Sequence, residues 1–188
     1  MEGIPGELLK VKSTNRVINS WHFANQKAAQ ARIKIVYGNK DQQHLIDTDF
    51  YNLRTSINWL AEQDDRGSAE LLLGYVDTLF PFLHQKRHYI ELDKWCTAGL
   101  HACEVVQRNP AVVLLMKSET QFSLGRWKEA RATVTQAFAQ INGLEPTIHA
   151  QTLFLLGRLQ IELGEYKAAL VTLNQAEDLY TEAGNSGK

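Results

Sequence analysis

The sequence predicts an all-α protein built as a solenoid of antiparallel helix hairpins. Its most informative feature is an internal repeat. Residues 124–137 read LGRWKEARATVTQA and residues 163–176 read LGEYKAALVTLNQA, at a constant offset of 39. A fixed period of this size is typical of stacked helical hairpins. Apolar residues also recur at three- and four-residue steps along most of the chain, whereas strand-like alternation never extends beyond a few residues.

Four helices are predicted in the first part of the chain, over residues 14–37, 48–63, 68–84 and 87–106. The second carries an apolar stripe of Phe50, Leu53, Ile57 and Leu60. Ser68 is a typical start for the third helix, and Pro81 is expected to kink or shorten it. A degenerate copy of the repeat begins at Tyr89, with Gly99 ten positions on. The connector from Gly38 to Asp47 is the longest and is predicted to be mobile.

Four more helices are predicted over residues 110–124, 126–141, 146–163 and 165–183. Asn109 before Pro110 is a typical helix start, and Pro146 suits the first turn of the next. Trp127 and Tyr166 open the second helix of each repeat and are predicted to wedge into the preceding hairpin. Trp21, Trp59 and Trp95, like Trp127, are predicted to lie in the core or to wedge between hairpins. Small residues that let the helices approach closely follow each aromatic: Ala130, Ala137, Ala169 and Ala176.

These helices are expected to form one domain over residues 1–188. Residues 1–13 are predicted to be flexible and residues 14–67 to form N-terminal helices. A degenerate repeat follows over 68–106, and clearer repeats occupy 110–144 and 146–183.

The composition is that of an ordinary soluble protein, with 44% hydrophobic and 22% charged residues and a net charge of −1. A net charge near zero argues against general attraction to nucleic acid or membranes. No apolar run is long enough to span a bilayer, and the N-terminus does not read as a signal peptide. Cys96 and Cys103 are too far apart on one helix for a disulfide, so reduced, buried thiols and a cytoplasmic location are expected.

The repeat residues resemble the tetratricopeptide repeat. Each clear copy has a small residue in its first helix (Ser118 or Gly157), a glycine near the turn, an aromatic two positions later, and two alanines separated by seven. The closing proline is absent and the period exceeds 34, so the helices must be longer than usual. The resemblance implies a right-handed superhelix that binds a partner protein or peptide on its concave face, without catalysis or a cofactor.

In that family, fixed first-helix positions line the concave face. Counting from the aromatic residues assigns that face to Asp77, His84, Leu115, Glu119, Phe122, Gln151, Phe154, Arg158 and Ile161. Exposed apolar residues there would suit a short peptide or a partner helix. The alternative is that these apolar residues pack against the N-terminal helices or against a second copy of the chain, so a homodimer stays open.

Residues 50–106 show a second resemblance, to the helical region that follows the nucleotide-binding domain in bacterial signal-transduction ATPases. It rests on Asn52-Leu53-Arg54, Trp59, Tyr89-Ile90-Glu91 and Trp95. No phosphate-binding G-x-x-x-x-G-K-[ST] loop occurs in the sequence. This resemblance implies the sensor half of such a system, standing alone or as a fragment, and gives an alternative function as a ligand- or peptide-sensing regulatory domain.

Neither an enzyme nor a metal protein is predicted. His84 and His88 have a spacing that could serve a metal, but a solvated turn explains them better. No nucleophile elbow, zincin motif or CxxC pair occurs. Acidic pairs such as Asp64-Asp65 are interpreted as charged loop residues that are simply exposed to solvent.

The charge distribution leaves one further alternative open. Residues 1–40 carry seven Lys and Arg, whereas residues 41–85 carry eight Asp and Glu. The basic segment is expected to pack beside the acidic one. The alternative is a nucleic-acid contact through the first helix (Arg16, Lys27, Arg32 and Lys34), which is the less favoured interpretation.

Overall fold

The computed structural model describes residues 20–32 and 43–185. Within these ranges the chain is helical throughout, without a strand. The eight helices are α1 (residues 20–32), α2 (Gln43–Leu60), α3 (Arg66–Gln85), α4 (Tyr89–Val106), α5 (Ala111–Ser123), α6 (Trp127–Phe138), α7 (Pro146–Glu162) and α8 (Tyr166–Asn185). Each of the helices from α2 to α8 packs on its neighbour in the chain across a short turn, which confirms the predicted all-α solenoid.

Parts of the predicted N-terminal organisation lie outside the described residues. They include residues 1–13, both ends of the first predicted helix with Arg16 and Lys34, and the first part of the long connector. The prediction that residues 43–47 belong to this connector is wrong, because α2 begins at Gln43 and these residues are helical.

The N-terminal helices share one core with the degenerate repeat. Its buried side chains come from α1 to α4 and from Val113 of α5. Buried hydrogen bonding ties α1 to this core, since the Tyr75 hydroxyl donates to the carbonyl of Ala29 over 2.6 Å. Arg32 donates to Ser56 Oγ, also over 2.6 Å, and so attaches α1 to α2. Arg32 therefore binds an uncharged partner here, and the two bonds anchor α1 to both α2 and α3.

The start of α3 corrects the interpretation of Asp64-Asp65 as simple loop solvation. Asp65 is the N-cap, and its Oδ1 accepts from the backbone N–H of Ser68 over 3.0 Å. The helix therefore begins at Arg66 rather than at Ser68, because an N-cap carboxylate binds the amide three residues further on. Pro81 lies inside α3 without shortening it, since the helix continues to Gln85.

Small residues set the spacing of the two clear repeats, as predicted. Ala130, Ala137, Ala169 and Ala176 are all buried. In α5–α6 the Ser118 hydroxyl donates to the carbonyl of Ala130 over 2.7 Å. In α7–α8 a methyl group added to Gly157 would lie 2.6 Å from Leu173 Cγ, so any larger residue there would force its neighbours to shift.

The predicted wedge role of the aromatic residues is wrong for three of them. Trp127 is 38% exposed and Tyr166 is 69% exposed, while Trp21 on α1 is also exposed. Trp127 and Tyr166 are the first residues of their helices, so they lie at the turn end of each hairpin instead of between its helices. Trp95 is buried, and its Nε1 donates to Asn58 Oδ1 over 3.0 Å.

Candidate functional site

A groove runs across the first helices of the three repeats, where α3 lies beside α5 and α5 beside α7. It has a volume of about 530 Å³, and Tyr180 of α8 forms part of its lining. Its lining consists of Phe80, Pro81, His84, Val112, Leu115, Met116, Glu119, Ile148, Gln151, Phe154 and Tyr180. A second depression of about 510 Å³ continues from it over α8 and shares Phe154 and Tyr180 with it.

The structure brings most of the predicted concave-face residues together. Five of the nine line the groove: His84, Leu115, Glu119, Gln151 and Phe154. Phe154 is 46% exposed, so an aromatic ring lies open to solvent between the groove and the second depression. Leu115 is only 4% exposed and also belongs to the core between the repeats. Its contribution to the groove is therefore the floor.

Arg158 and Phe122 lie against each other beside the groove. The guanidinium carbon of Arg158 is 4.2 Å from the centre of the Phe122 ring and 5.8 Å from that of Phe154. A guanidinium over an aromatic face is held by the quadrupole of the ring. Since Phe122 comes from α5 and the other two from α7, this stack joins neighbouring repeats and fixes the Arg158 side chain.

Glu119 is the acidic group of the groove. Burial raises the pKa of its carboxyl, and the charge of Arg158 offsets part of that rise. Burial also raises the pKa of the Tyr180 hydroxyl, and the Glu119 charge adds to this rise. Both shifts indicate that water is partly excluded from this part of the groove.

His84 is held at the other side of the groove by contacts within the fold. Its Nε2 lies 3.2 Å from Ser123 Oγ, and its ring stacks on Phe80 with the centres 5.5 Å apart. Burial lowers the pKa of His84, and the nearby Arg158 lowers it further. The imidazole is therefore neutral at neutral pH.

Two predicted residues do not reach the groove. The Asp77 carboxylate is held by both terminal nitrogens of Arg108, at 2.8 and 3.2 Å, so it joins α3 to the end of α4. Ile161 lies on the last turn of α7 and is exposed to solvent outside the groove. The count of positions takes no account of where each helix ends or of competing ion pairs.

Several lining residues were missed by the sequence reasoning. Val112 and Pro81 occupy counted first-helix positions and could have been found by the same count. Met116 and Ile148 lie one helical turn from a predicted residue on the same face. Tyr180 comes from the apolar stripe of a second helix, for which a count confined to first helices has no signal.

The histidine pair His84 and His88 is divided between α3 and the start of α4, and both cysteines lie on α4. His84 lies in the last turn of α3, and His88 precedes α4 with its ring 4.6 Å from that of Phe50. Cys96 and Cys103 are free and buried, and burial raises the pKa of Cys96 to about 12. In the described part of the chain, no three His, Cys, Asp or Glu side chains are grouped so that they could hold a metal ion. Across the same residues no helix combines the length and the apolar character needed to cross a membrane.

Residues 111–182, which comprise α5 to most of α8, match the family model of the tetratricopeptide repeat. No curated protein and no solved structure matches the chain significantly. The match covers the residues on which the tetratricopeptide resemblance rested, whereas the resemblance of residues 50–106 to signal-transduction ATPases stays a prediction. Together, the match and the all-helical solenoid support a TPR-like repeat protein, and repeats of this kind generally mediate protein–protein interaction and are typically non-catalytic.

Proposed function

We propose that this chain is a non-catalytic interaction module that holds a segment of a partner protein in the groove between α3, α5, α7 and the end of α8. The observation that carries the proposal is the exposed apolar lining, above all Phe154, at positions that the core of the solenoid does not need. Apolar side chains that remain exposed in a groove lined by several helices favour the binding of an extended peptide or a partner helix. Buried, unpaired cysteines favour a cytoplasmic location for this interaction.

The groove supports this interpretation over simple packing against the N-terminal helices. Its lining comes from α3, α5, α7 and α8, and none of the described residues of α1 or α2 contributes to it. Those two helices pack on α3 through a separate core, with Ala29 and Leu53 among its members. The apolar groove residues therefore have no cover within the described part of the chain.

The test is a selection of displayed random peptides of about twelve residues on the purified protein. Selected peptides are synthesised with a fluorescent label, and their affinity is measured by polarisation. We expect Phe154→Ala and Tyr180→Ala to weaken binding roughly tenfold or more, since each removes a ring that lines the groove. Leu170→Ala is the matched control, because Leu170 is an exposed apolar residue of α8 outside the groove. Selected peptides that bind both groove variants as well as they bind the unmodified protein would refute the proposal.

A ligand-sensing domain is the second candidate, and the size of the groove is the observation in its favour. A volume of about 530 Å³ falls within the range of sites for small molecules. A thermal-shift screen with a metabolite library tests it. A hit that is lost on Phe154→Ala and on Arg158→Ala would support sensing, and a screen without hits would leave the interaction module as the sole candidate.

A further inference from the structure

The Glu119 carboxylate is a partly buried charge in the groove, and the charge of Arg158 offsets the effect of this burial only in part. It lies among Leu115, Met116 and Phe154, and it forms no hydrogen bond or ion pair with any described residue. A carboxylate that loses water without gaining a partner destabilises the fold. The described structure therefore does not explain why a carboxylate is placed here. A ligand that brings a hydrogen-bond donor or a cation to Glu119 would remove the free-energy cost of burying it.

Arg158 is the cation whose charge acts on Glu119, but it does not pair with the carboxylate. Its guanidinium lies over the Phe122 ring, and it makes no ion pair with Glu119. Arg158 is also exposed, so its remaining donors can bind water, whereas the carboxylate is partly buried. Burial penalises the charge of Glu119, which makes the carboxylate rather than the guanidinium the group that a ligand would relieve.

The other polar groups that face this part of the groove cannot neutralise Glu119. His84 of α3 is neutral, as described above, and Gln151 of α7 is uncharged. Tyr180 of α8 is a hydroxyl, and Glu177 in the adjoining depression adds a second negative charge. The groove therefore offers one partly buried carboxylate among apolar and uncharged polar side chains.

We propose that the partner segment carries a lysine or arginine side chain flanked by apolar residues, and that this cation pairs with Glu119 while the flanking residues fill the groove. This inference rests on the proposed function and specifies its partner. A cation with a long methylene stem fits such a site, because the stem covers apolar surface while the head reaches the charge. A charge-assisted bond made away from water is also stronger than one at the surface.

A pH dependence follows from this pairing. The cation binds only the ionised carboxylate, and burial raises the pKa of Glu119 above its ordinary value. Affinity for a cationic peptide is therefore expected to be full at neutral pH and to fall as the pH is lowered through the raised pKa. His84 contributes in the same direction at low pH, since its protonation adds a competing positive charge.

The experiment is the peptide selection described above, run in parallel on the unmodified protein and on Glu119→Gln, with circular dichroism to verify that the variant is folded. We expect lysine or arginine between apolar residues to be enriched on the unmodified protein but not on Glu119→Gln. A synthetic peptide from the first pool should bind Glu119→Gln roughly tenfold more weakly. Its binding to the unmodified protein should weaken as the pH is lowered from neutral through the raised pKa of Glu119, and replacement of its cation by norleucine should remove that dependence.

The outcomes separate this inference from the proposed function. Peptides that need Phe154 but show no cationic enrichment, or that bind Glu119→Gln equally well, would overturn the inference and leave the interaction module in place. Enrichment of acidic residues, with binding lost on Arg158→Gln, would also overturn it. A failure to select any peptide that depends on Phe154 would refute both.

Discussion

The two clear repeats, α5–α6 and α7–α8, close their hairpins by different means although their residues match at an offset of 39. In α5–α6 the buried contacts include side-chain hydrogen bonds. Ser118 donates to the carbonyl of Ala130, and Thr133 Oγ1 donates to Gln121 Oε1 over 2.8 Å. The first hairpin is therefore fixed by polar pairs between its helices.

In α7–α8 the same positions give apolar contact instead. Gly157 occupies the position of Ser118 and lies directly against Leu173. Thr172, which corresponds to Thr133, donates to the carbonyl of Ala168 in its own helix over 3.0 Å. The buried Oε1 of Gln160 consequently has no hydrogen-bond partner among the described residues. The two repeats thus share matching residue types and the same hairpin, but the side-chain hydrogen bonds between the two helices differ.

The groove is where the two repeats differ most. Glu119 and Arg158 occupy the same repeat position and carry opposite charges. Leu115 is buried, whereas the matching Phe154 is open to solvent. The positions that the hairpin needs are kept small in both copies, and the positions that it does not need have diverged. This difference is what a surface adapted to one particular partner would show.

The largest effect is expected at the close contact of α7 with α8. Gly157→Ala places a methyl group 2.6 Å from Leu173 Cγ, and overpacking of this kind costs about 1–3 kcal/mol. Gly184→Ala is the matched control in the same hairpin, since a methyl group there meets nothing within 4 Å. It should gain up to about 1 kcal/mol from helix propensity. Urea unfolding measures both, and equal values would mean that the second hairpin is not closed by this contact.

A second pair of variants compares the buried alanines of the two hairpins. Ala137→Leu introduces a large side chain at a fully buried position and should lower the free energy of unfolding by about 1–3 kcal/mol. Ala176→Leu should cost less than Ala137→Leu, because Ala176 lines the depression of about 510 Å³ that can receive part of the new side chain. Thermal and urea unfolding give the two values. A larger loss of stability for Ala176→Leu than for Ala137→Leu would show that the depression is closed in solution.

The polar pair of the first hairpin gives a third comparison. Thr133→Val keeps the shape of the side chain but leaves Gln121 Oε1 buried without its donor, at a cost of about 1–2 kcal/mol. Thr172→Val removes only a bond to the carbonyl within α8, so it should be close to neutral. A double-mutant cycle with Gln121→Leu should show coupling to Thr133. Gln160→Leu combined with Thr172→Val should show none.

The hairpins were predictable from sequence because their determinants are local. Alanine spacing, a glycine at each turn, the bond from the Ala111 amide to Asn109 before α5, and Pro146 in the first turn of α7 act within a few residues. The groove was predictable only in part. Counting located Phe154 and Glu119 but could not find Tyr180, which reaches the groove from a second helix, and it missed the ion pair that withdraws Asp77. Such contacts depend on how separate helices meet, and no local spacing encodes that.

A smaller effect on stability is expected at Glu119. Burial raises the pKa of this carboxyl in the folded state, so its ionisation destabilises the fold as the pH rises through that pKa. Glu119→Gln should therefore raise the free energy of unfolding at about pH 7, by less than about 1 kcal/mol because the side chain is partly exposed. Below the ordinary pKa of a glutamate the two proteins should be equal. Arg158→Gln is the matched change at the same repeat position. It should not stabilise the protein, since it removes a stacking contact with Phe122.

The smallest effect is expected on the outer face of α8. In the preceding hairpin the matching residue of α6, Arg131, pairs with Glu165 in the turn before α8. Leu170, which corresponds to Arg131, is 64% exposed. Leu170→Arg should therefore change the free energy of unfolding by less than about 0.5 kcal/mol. A clearly larger loss, measured together with the molar mass in solution, would show that this face is covered in the folded protein. A fall in mass on substitution would identify the cover as a second copy of the chain, whereas an unchanged monomeric mass would place it within the same chain.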